Sequence, residues 1–272
     1  MLLILFLFFI LAGASSGARE VTVVVSGSST VMPMAELAAE EFNMMQDHYT
    51  VNVKSGGSGV GIVDVAEGRS DIAMSSRDIK LEERQRYDSP TVRFIEHPVG
   101  FDAICLVVSP DVYDCGVTTL TKDEVKQIYA GDITNWEELG GPNTEIFAIG
   151  RRAGSGTRDT FNEIIMGSRE AETSAVSYDA GESSEVKFST QRSDNAIGYM
   201  GYSFVMTGDT KVLALDGIEP SIKSIKSGAY PLARRLFFVT LGEPSSGAKA
   251  FIDYILSPEG QKIAEENGFI PV

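Results

Sequence analysis

The chain has 272 residues, 43% of them hydrophobic and 22% charged, which is the make-up of a globular protein with one large or two modest domains. Its 23 basic residues stand against 38 acidic ones, a formal net charge of -15. That balance excludes non-specific binding to nucleic acid or anionic lipid, so any anion must be held by local donors rather than by the overall field.

The amino-terminal run "LLILFLFFILA" is wholly apolar and ends in "GASSGA". Spanning a bilayer takes ~20 residues, and this run is shorter. It reads as the core of a secretory signal over residues 1–18, with cleavage near Ala18, although no Lys or Arg precedes it. An uncleaved segment would instead tether the protein to a membrane. No cysteine follows the run, so lipid attachment through a thioether has no support. The two cysteines are Cys105 and Cys115, with nine residues between them. In an exported chain they could close a small loop, and the sequence leaves a disulfide and two free thiols both open.

The mature chain opens with "EVTVVVSGSSTVMP", a β-branched strand that stops at a Gly/Ser/Thr turn. "MPMAELAAEEFNMMQ" then carries apolar residues at helical spacing, with Pro33 tolerated in the first turn. "YTVNVKSGGSGVG" is a second strand and turn, "GIVDVAEGRS" a short helix, and "DIAMSSR" a third strand. Strand, polar turn and helix repeat, which predicts an α/β layout around a largely parallel sheet, with ligands beyond the strand ends. The long β-rich stretch "RFIEHPVGFDAICLVVSP" is where the chain passes into a second lobe. "TKDEVKQIYAGDITNWEEL" is helical up to Gly131. "EIFAIG" is a strand that runs into "RRAGSGTRDTF", and "RDTFNEIIM" continues as a helix. "AIGYMGYSFV", "VLALDGI" and "YPLARRLFFVTL" are β-rich, and the last ~30 residues form closing helices.

Three turns share one chemistry: "GSST" (Gly27 to Thr30), "SGGSGVG" (Ser55 to Gly61) and "GSGT" (Gly154 to Thr157). Each offers hydroxyls and glycine backbone N–H groups just before a helix, whose free N–H groups and positive end attract an anion. Singly, each is as readily an ordinary helix cap. Arg151 adds a two-pronged donor face suited to a tetrahedral oxyanion, whereas Arg152 reads as a surface residue. Arg158, in the following helix, could face the site or pair with Asp159 or Glu163.

Enzyme readings fail on particular residues. A Walker A loop needs a Lys after its last glycine, and none of the three turns has one. The run around Ser58 lacks the final glycine of a nucleophile elbow. His48 sits in a polar turn and His97 precedes Pro98, both structural positions rather than catalytic ones. No His/Cys/Asp cluster has metal-ligand spacing, and no cofactor is called for.

The order and spacing of "GSSTVMP", "SGGSGVGI", "DIAMSSR", "LTKDEVKQIYAGDITNWEELGG", "RRAGSGTRDTF", "NAIGYMGYS", "YPLARRLFF" and "SPEGQKIAEENGFIPV" resemble the phosphate-binding proteins that serve ABC-type phosphate importers. The resemblance covers Val21 to Val272. It implies a periplasmic-binding-protein fold of two α/β lobes joined by a hinge, with lobe I over 19–98 and 231–272 and lobe II over 99–230. It implies phosphate held by Ser29, Thr30, Ser58, Ser76, Arg151, Ser155, Gly156 and Thr157, with Ser28, Asp71 and Arg77 as secondary candidates. It also implies a non-catalytic, monomeric receptor outside the cytoplasm, with a membrane permease and not nucleic acid as its partner. One departure stands out. Some members have an Asp where this chain has Ser76, and that Asp accepts the proton of hydrogen phosphate and repels sulfate. Receptors of the same fold for sulfate, molybdate or tungstate therefore remain the first alternative, and a phosphate-ester hydrolase the second. Arg77 either joins the site or pairs with Asp71 or Asp78, and Asp71 reads as structural before it reads as a ligand.

Overall fold

The computed structural model describes residues 21–206 and 208–272. The leader read over 1–18 lies outside the described residues. Among the described residues, no helix is long and apolar enough to cross a membrane.

The first lobe begins as β1 (Val21–Gly27), α1 (Met32–Met45), β2 (Tyr49–Ser55), α2 (Ser58–Ala66), β3 (Ile72–Ser75) and α3 (Leu81–Tyr87). β2 and β3 both run parallel to β1, so all three strands end at the same edge of the sheet. α1 covers one face with Met34, Ala35, Ala38 and Phe42, the residues that its apolar spacing places together.

β4 (Phe94–Val108) is much longer than the others because it serves two cores. Its first part pairs antiparallel with β11 (Ala233–Leu241), and its second part with β8 (Ala196–Gly201). Between them lie α4 (Pro110–Asp114), β5 (Thr119–Leu120), α5 (Lys122–Ala130), a 3-10 turn at Trp136–Leu139 and β6 (Phe147–Arg151). α6 (Gly156–Phe161) runs into a π-helical turn at Asn162–Met166. β7 (Val176–Ala180) and α7 (Ser183–Arg192) precede β8. α8 (Tyr202–Val205), β9 (Lys211–Val212), β10 (Ala214–Leu215) and α9 (Ile222–Lys226) follow it, and α10 (Ser246–Ile255) and α11 (Pro258–Glu266) close the chain. The sheet order is β2-β1-β3-β11-β4-β8-β6-β7, with β9 also on β4. Parallel pairing is kept at the two wings, where helical crossovers join the strands, and the shared strands β4 and β11 are antiparallel.

The cores follow from period-two patterning. On β11, Leu236 and Phe238 face the α1–α10 side, while Phe237 and Val239 face α2. Both faces of the first sheet are therefore buried. The second core gathers Ala103 to Val108, Trp136, Tyr129, Phe161, Tyr199 and Leu232. One core gives way to the other between Val99 and Ala103, and again between Leu232 and Leu236. Ile270, near the carboxyl end, packs into the second core through a bridge to Phe101.

The disulfide considered for Cys105 and Cys115 is not present: both are free thiols. β4 buries Cys105 completely in the second core, whereas α4 carries the chain out to an exposed Cys115. Burial pushes the Cys105 thiol well above its ordinary pKa, which leaves it inert.

Candidate anion-binding site

The three polar turns meet between the lobes. β1 ends at Gly27, where φ is +132° and a Cβ would collide with the Met74 carbonyl, so only glycine lets β1 lie against β3 here. Ser28 then works as a local cap: its Oγ accepts from Thr30 N at 3.2 Å and its carbonyl from Val31 N and Met32 N. Ser29 and Thr30 are left to face the second lobe. At the end of β2, Gly56 N and Gly57 N both donate to the Gly27 carbonyl, which ties the first two turns together. Ser58 opens α2, and its Oγ accepts from Ser76 N at 3.1 Å and lies 3.4 Å from Ser76 Oγ.

The second lobe supplies the third turn. Ser155 caps α6 by accepting from Arg158 N at 3.3 Å. Gly156 packs directly on the first lobe: a Cβ there would overlap the Ser58 hydroxyl and lie 2.7 Å from that of Ser76. Gly59 N donates to the Gly154 carbonyl at 3.0 Å, a backbone bond from lobe to lobe. Thr157 Oγ1 lies 3.1 Å from Thr30 Oγ1.

Arg151 ends β6 and is 1% exposed. Its Nη2 donates to Ser29 Oγ and to the Gly181 carbonyl, both at 3.1 Å. Nη1 donates to Ser183 Oγ at 3.1 Å and Nε to the Ala180 carbonyl at 3.3 Å. All these partners are neutral. Among the described residues, no carboxylate forms an ion pair with it. Burial lowers its pKa to about 10, and the nearby charge of Arg234 works in the same direction.

Arg234 and Asp102 complete the site, and neither was singled out from the sequence. They face each other in register on β11 and β4. Arg234 donates from Nε and Nη2 to Asp102 Oδ2 at 3.0 and 2.7 Å, from Nη1 to Thr157 Oγ1 at 3.0 Å, and from Nη2 to Thr30 Oγ1 at 3.3 Å. Asp102 Oδ1 accepts from Tyr202 N at 2.9 Å. The usable signal was a lone acid within the otherwise apolar "VGFDAICLVV". Ser183 was also missed, because α7 has little apolar periodicity to announce it.

The secondary candidates sort differently. Asp71 is exposed at the opposite end of the strands, where its carboxylate accepts from Val24 N at 2.8 Å, so it trims the sheet edge rather than meeting an anion. Arg77 pairs neither with Asp71 nor with the Asp78 side chain: it takes Glu83 and Asp159 instead. Arg152 is exposed. Arg158 donates from Nη1 to the Arg151 carbonyl at 3.2 Å and so braces the turn. His97 Nε2 lies 3.2 Å from Thr240 Oγ1, within the first sheet, and His48 is exposed beside Asp47.

Two cavities reach this cluster. One of about 480 Å³ is lined by Arg77, Thr160 and Arg234 among others, and one of about 260 Å³ by Gly56, Gly57 and Ser155 among others. The Arg234–Asp102 pair is internally balanced, so the charge left over at the centre is that of Arg151. Hydroxyls, turn N–H groups and one unbalanced guanidinium make a receptor for a small tetrahedral anion.

A PBP superfamily domain model matches residues 12–259. The phosphate-binding protein PstS of Bacillus subtilis is 35% identical, across 91% of this chain and 80% of its own length. A putative phosphate ABC transporter substrate-binding protein from Clostridium perfringens, solved with bound phosphate, superposes with a TM-score of 0.83 at 35% identity, over 92% of this chain and 99% of that one. An ABC-type phosphate transport receptor from Vibrio cholerae gives a TM-score of 0.74 at 27% identity, over 92% and 100% of the two chains.

Proposed function

The chain belongs to the PstS phosphate-binding proteins of the PBP superfamily, and from that membership we propose that it captures inorganic phosphate between its lobes and hands it to an ABC importer. The observation that carries the reading is Arg151, a buried guanidinium with only neutral partners that spans the cleft to Ser29. A buried, unbalanced charge is costly, and an anion offsets that cost on binding.

The ligand shell follows from the three turns. Ser29, Thr30 and Ser58 donate from the first lobe, with Ser76 beside Ser58. Arg151, Ser155, the Gly156 backbone and Thr157 close from the second. Arg234 orients the two threonines through its bonds to both. The lobes, 19–98 with 231–272 and 99–230, swing about β4 and the segment entering β11, which carry the chain from one core to the other. The protein acts outside the cytoplasm as a single copy and recruits a permease, not nucleic acid. It performs no chemistry: the serines at the site bond to Arg151, to backbone or to each other, and neither histidine approaches them.

Calorimetry with phosphate, sulfate and molybdate tests this directly. Phosphate should bind and sulfate should fail to displace it. Arg151→Ala should weaken phosphate binding by at least about thirtyfold, the loss of roughly 2 kcal/mol or more that follows from removing one partner of a buried charge pair. Sulfate displacing phosphate at equal concentration would assign a broader oxyanion receptor, since Ser76 brings no carboxylate to the site. Release of phosphate from a generic ester would overturn the non-catalytic reading.

A further inference from the structure

We propose that Arg77 and Asp159 form a latch across the cleft, made only on closure, which positions the two halves of the site and slows release of the bound anion. The proposal rests on the phosphate reading above.

Both latch residues are tied by the chain to the ligand shell. Arg77 follows Ser76, and Asp159 lies on α6 two residues after Thr157. Arg77 Nε donates to Asp159 Oδ2 at 2.7 Å, and Lys80 Nζ reaches the same oxygen at 3.1 Å. The Arg77 side chain is 2% exposed and that of Asp159 9%. The other edge of the guanidinium is held by Glu83, with Nη1 to Oε2 at 2.9 Å and Nη2 to Oε1 at 2.7 Å. Burial works against the Arg77 charge, but the bonds and charges of Glu83 and Asp159 outweigh it and hold its pKa above the ordinary value.

The arrangement is asymmetric, and the asymmetry makes it a latch. Arg77, Lys80 and Glu83 all belong to the first lobe. When the lobes part, Arg77 keeps Glu83, whereas Asp159 loses both of its cations at once. Closed, the four groups balance and leave Arg151 as the unbalanced charge that meets the anion. Open, they leave one excess positive charge on the first lobe and one excess negative charge on the second, which favours reclosing. Arg77 also lines the cavity of about 480 Å³, so counter-ions can reach the pair as it parts.

Two readouts on the full chain test the latch: lobe separation by paired fluorophores, with and without phosphate, and phosphate release by stopped flow into a phosphate trap. Asp159→Asn should raise the release rate about tenfold with less than a twofold change in association rate. It should shift the ligand-free population toward open lobes. Raising the ionic strength should speed release from the wild type and not from the variant. Asp159→Glu should restore slow release in large part, and Lys80→Gln should give a smaller acceleration, with thermal unfolding confirming that each variant folds. Unchanged release and unchanged lobe separation in Asp159→Asn would overturn the latch. So would an equal fall in association rate, which would place Asp159 in the ligand shell. A wild type that binds no phosphate would overturn the reading of the site alone, and lobe separation would still decide the latch.

Discussion

Arg151 does two jobs with opposing energetics. It is charged at neutral pH, yet folding removes it from water without a carboxylate to balance it. Its pKa of about 10, well below the ordinary guanidinium value, corresponds to roughly 3 kcal/mol against the charged form. Between the folded and the ordinary value the unfolded chain holds the proton and the folded chain does not. The Arg151 contribution to stability therefore rises with pH across that window, and below pH 10 the cost of burial is borne in full. The phosphate contact proposed for Arg151 needs the charge and runs the other way. The phosphate-induced rise in melting temperature should hold steady to about pH 9 and shrink above pH 10, where affinity should fall about tenfold per unit for the loss of one proton. Arg151→Met should show a small shift at every pH. At the same scale, the choice of glycine at position 156 is explained by the Ser58 and Ser76 hydroxyls pressed against it, a reason that exists only once the lobes meet.

The strands β4 and β11 carry both the core and part of the site. Along β4, Asp102 is fully buried among Phe101, Ala103 and Ile104, which makes sense only because Arg234 stands opposite it. Arg234→Met should destabilise the protein by about 3–5 kcal/mol, since Asp102 would remain buried and unpaired. Asp102→Asn combined with Arg234→Met should recover most of that loss, because Asn can still accept from Tyr202 N. Urea unfolding of the two variants measures the difference. Phosphate binding should stay impaired in both, because Thr30 and Thr157 lose their shared donor. α6 shows the same economy on a shorter length: Ser155 caps the helix with the hydroxyl that is proposed to meet the anion.

At the scale of the whole molecule, closure rests on polar contacts across the cleft: Arg151 to Ser29, Thr30 to Thr157, Arg234 to Thr157, Gly59 to Gly154, and both Arg77 and Lys80 to Asp159. The interface at the site is hydrophilic, so closing gains little from apolar burial and depends on the ligand to favour it. Phosphate at a hundred times its Kd should add about 2.7 kcal/mol to stability. For a chain of this size that is a rise of roughly 5–10 °C in melting temperature. Small-angle scattering should show a more compact particle with phosphate than without. Arg151→Ala should show both effects much reduced at the same phosphate concentration.

Much of this was legible in local patterning. Alternating Val23 and Val25 made β1 readable, and the spacing of Met34, Ala38 and Phe42 made α1 readable. The three Gly/Ser/Thr turns identified themselves because backbone freedom, hydroxyls and a following helix are all properties of neighbouring residues. α3 and α7 escaped notice, since α3 buries no residue and α7 is mostly polar, so neither has an apolar stripe to reveal its period. "VLALDGI" divides into β9 and β10 because its halves pair with different strands, β4 and β5. The free thiols, the Asp102–Arg234 pair and the partners of Arg77 were settled by tertiary contacts. Arg234 Nε and Asp102 Oδ2 are 3.0 Å apart in space and 132 residues apart in the chain. The sequence by itself determined which turns could hold an anion, because that depends on short-range backbone chemistry. Only the tertiary structure decided which charges are balanced and which one is left for the ligand, because charge balance depends on distances that no local pattern encodes.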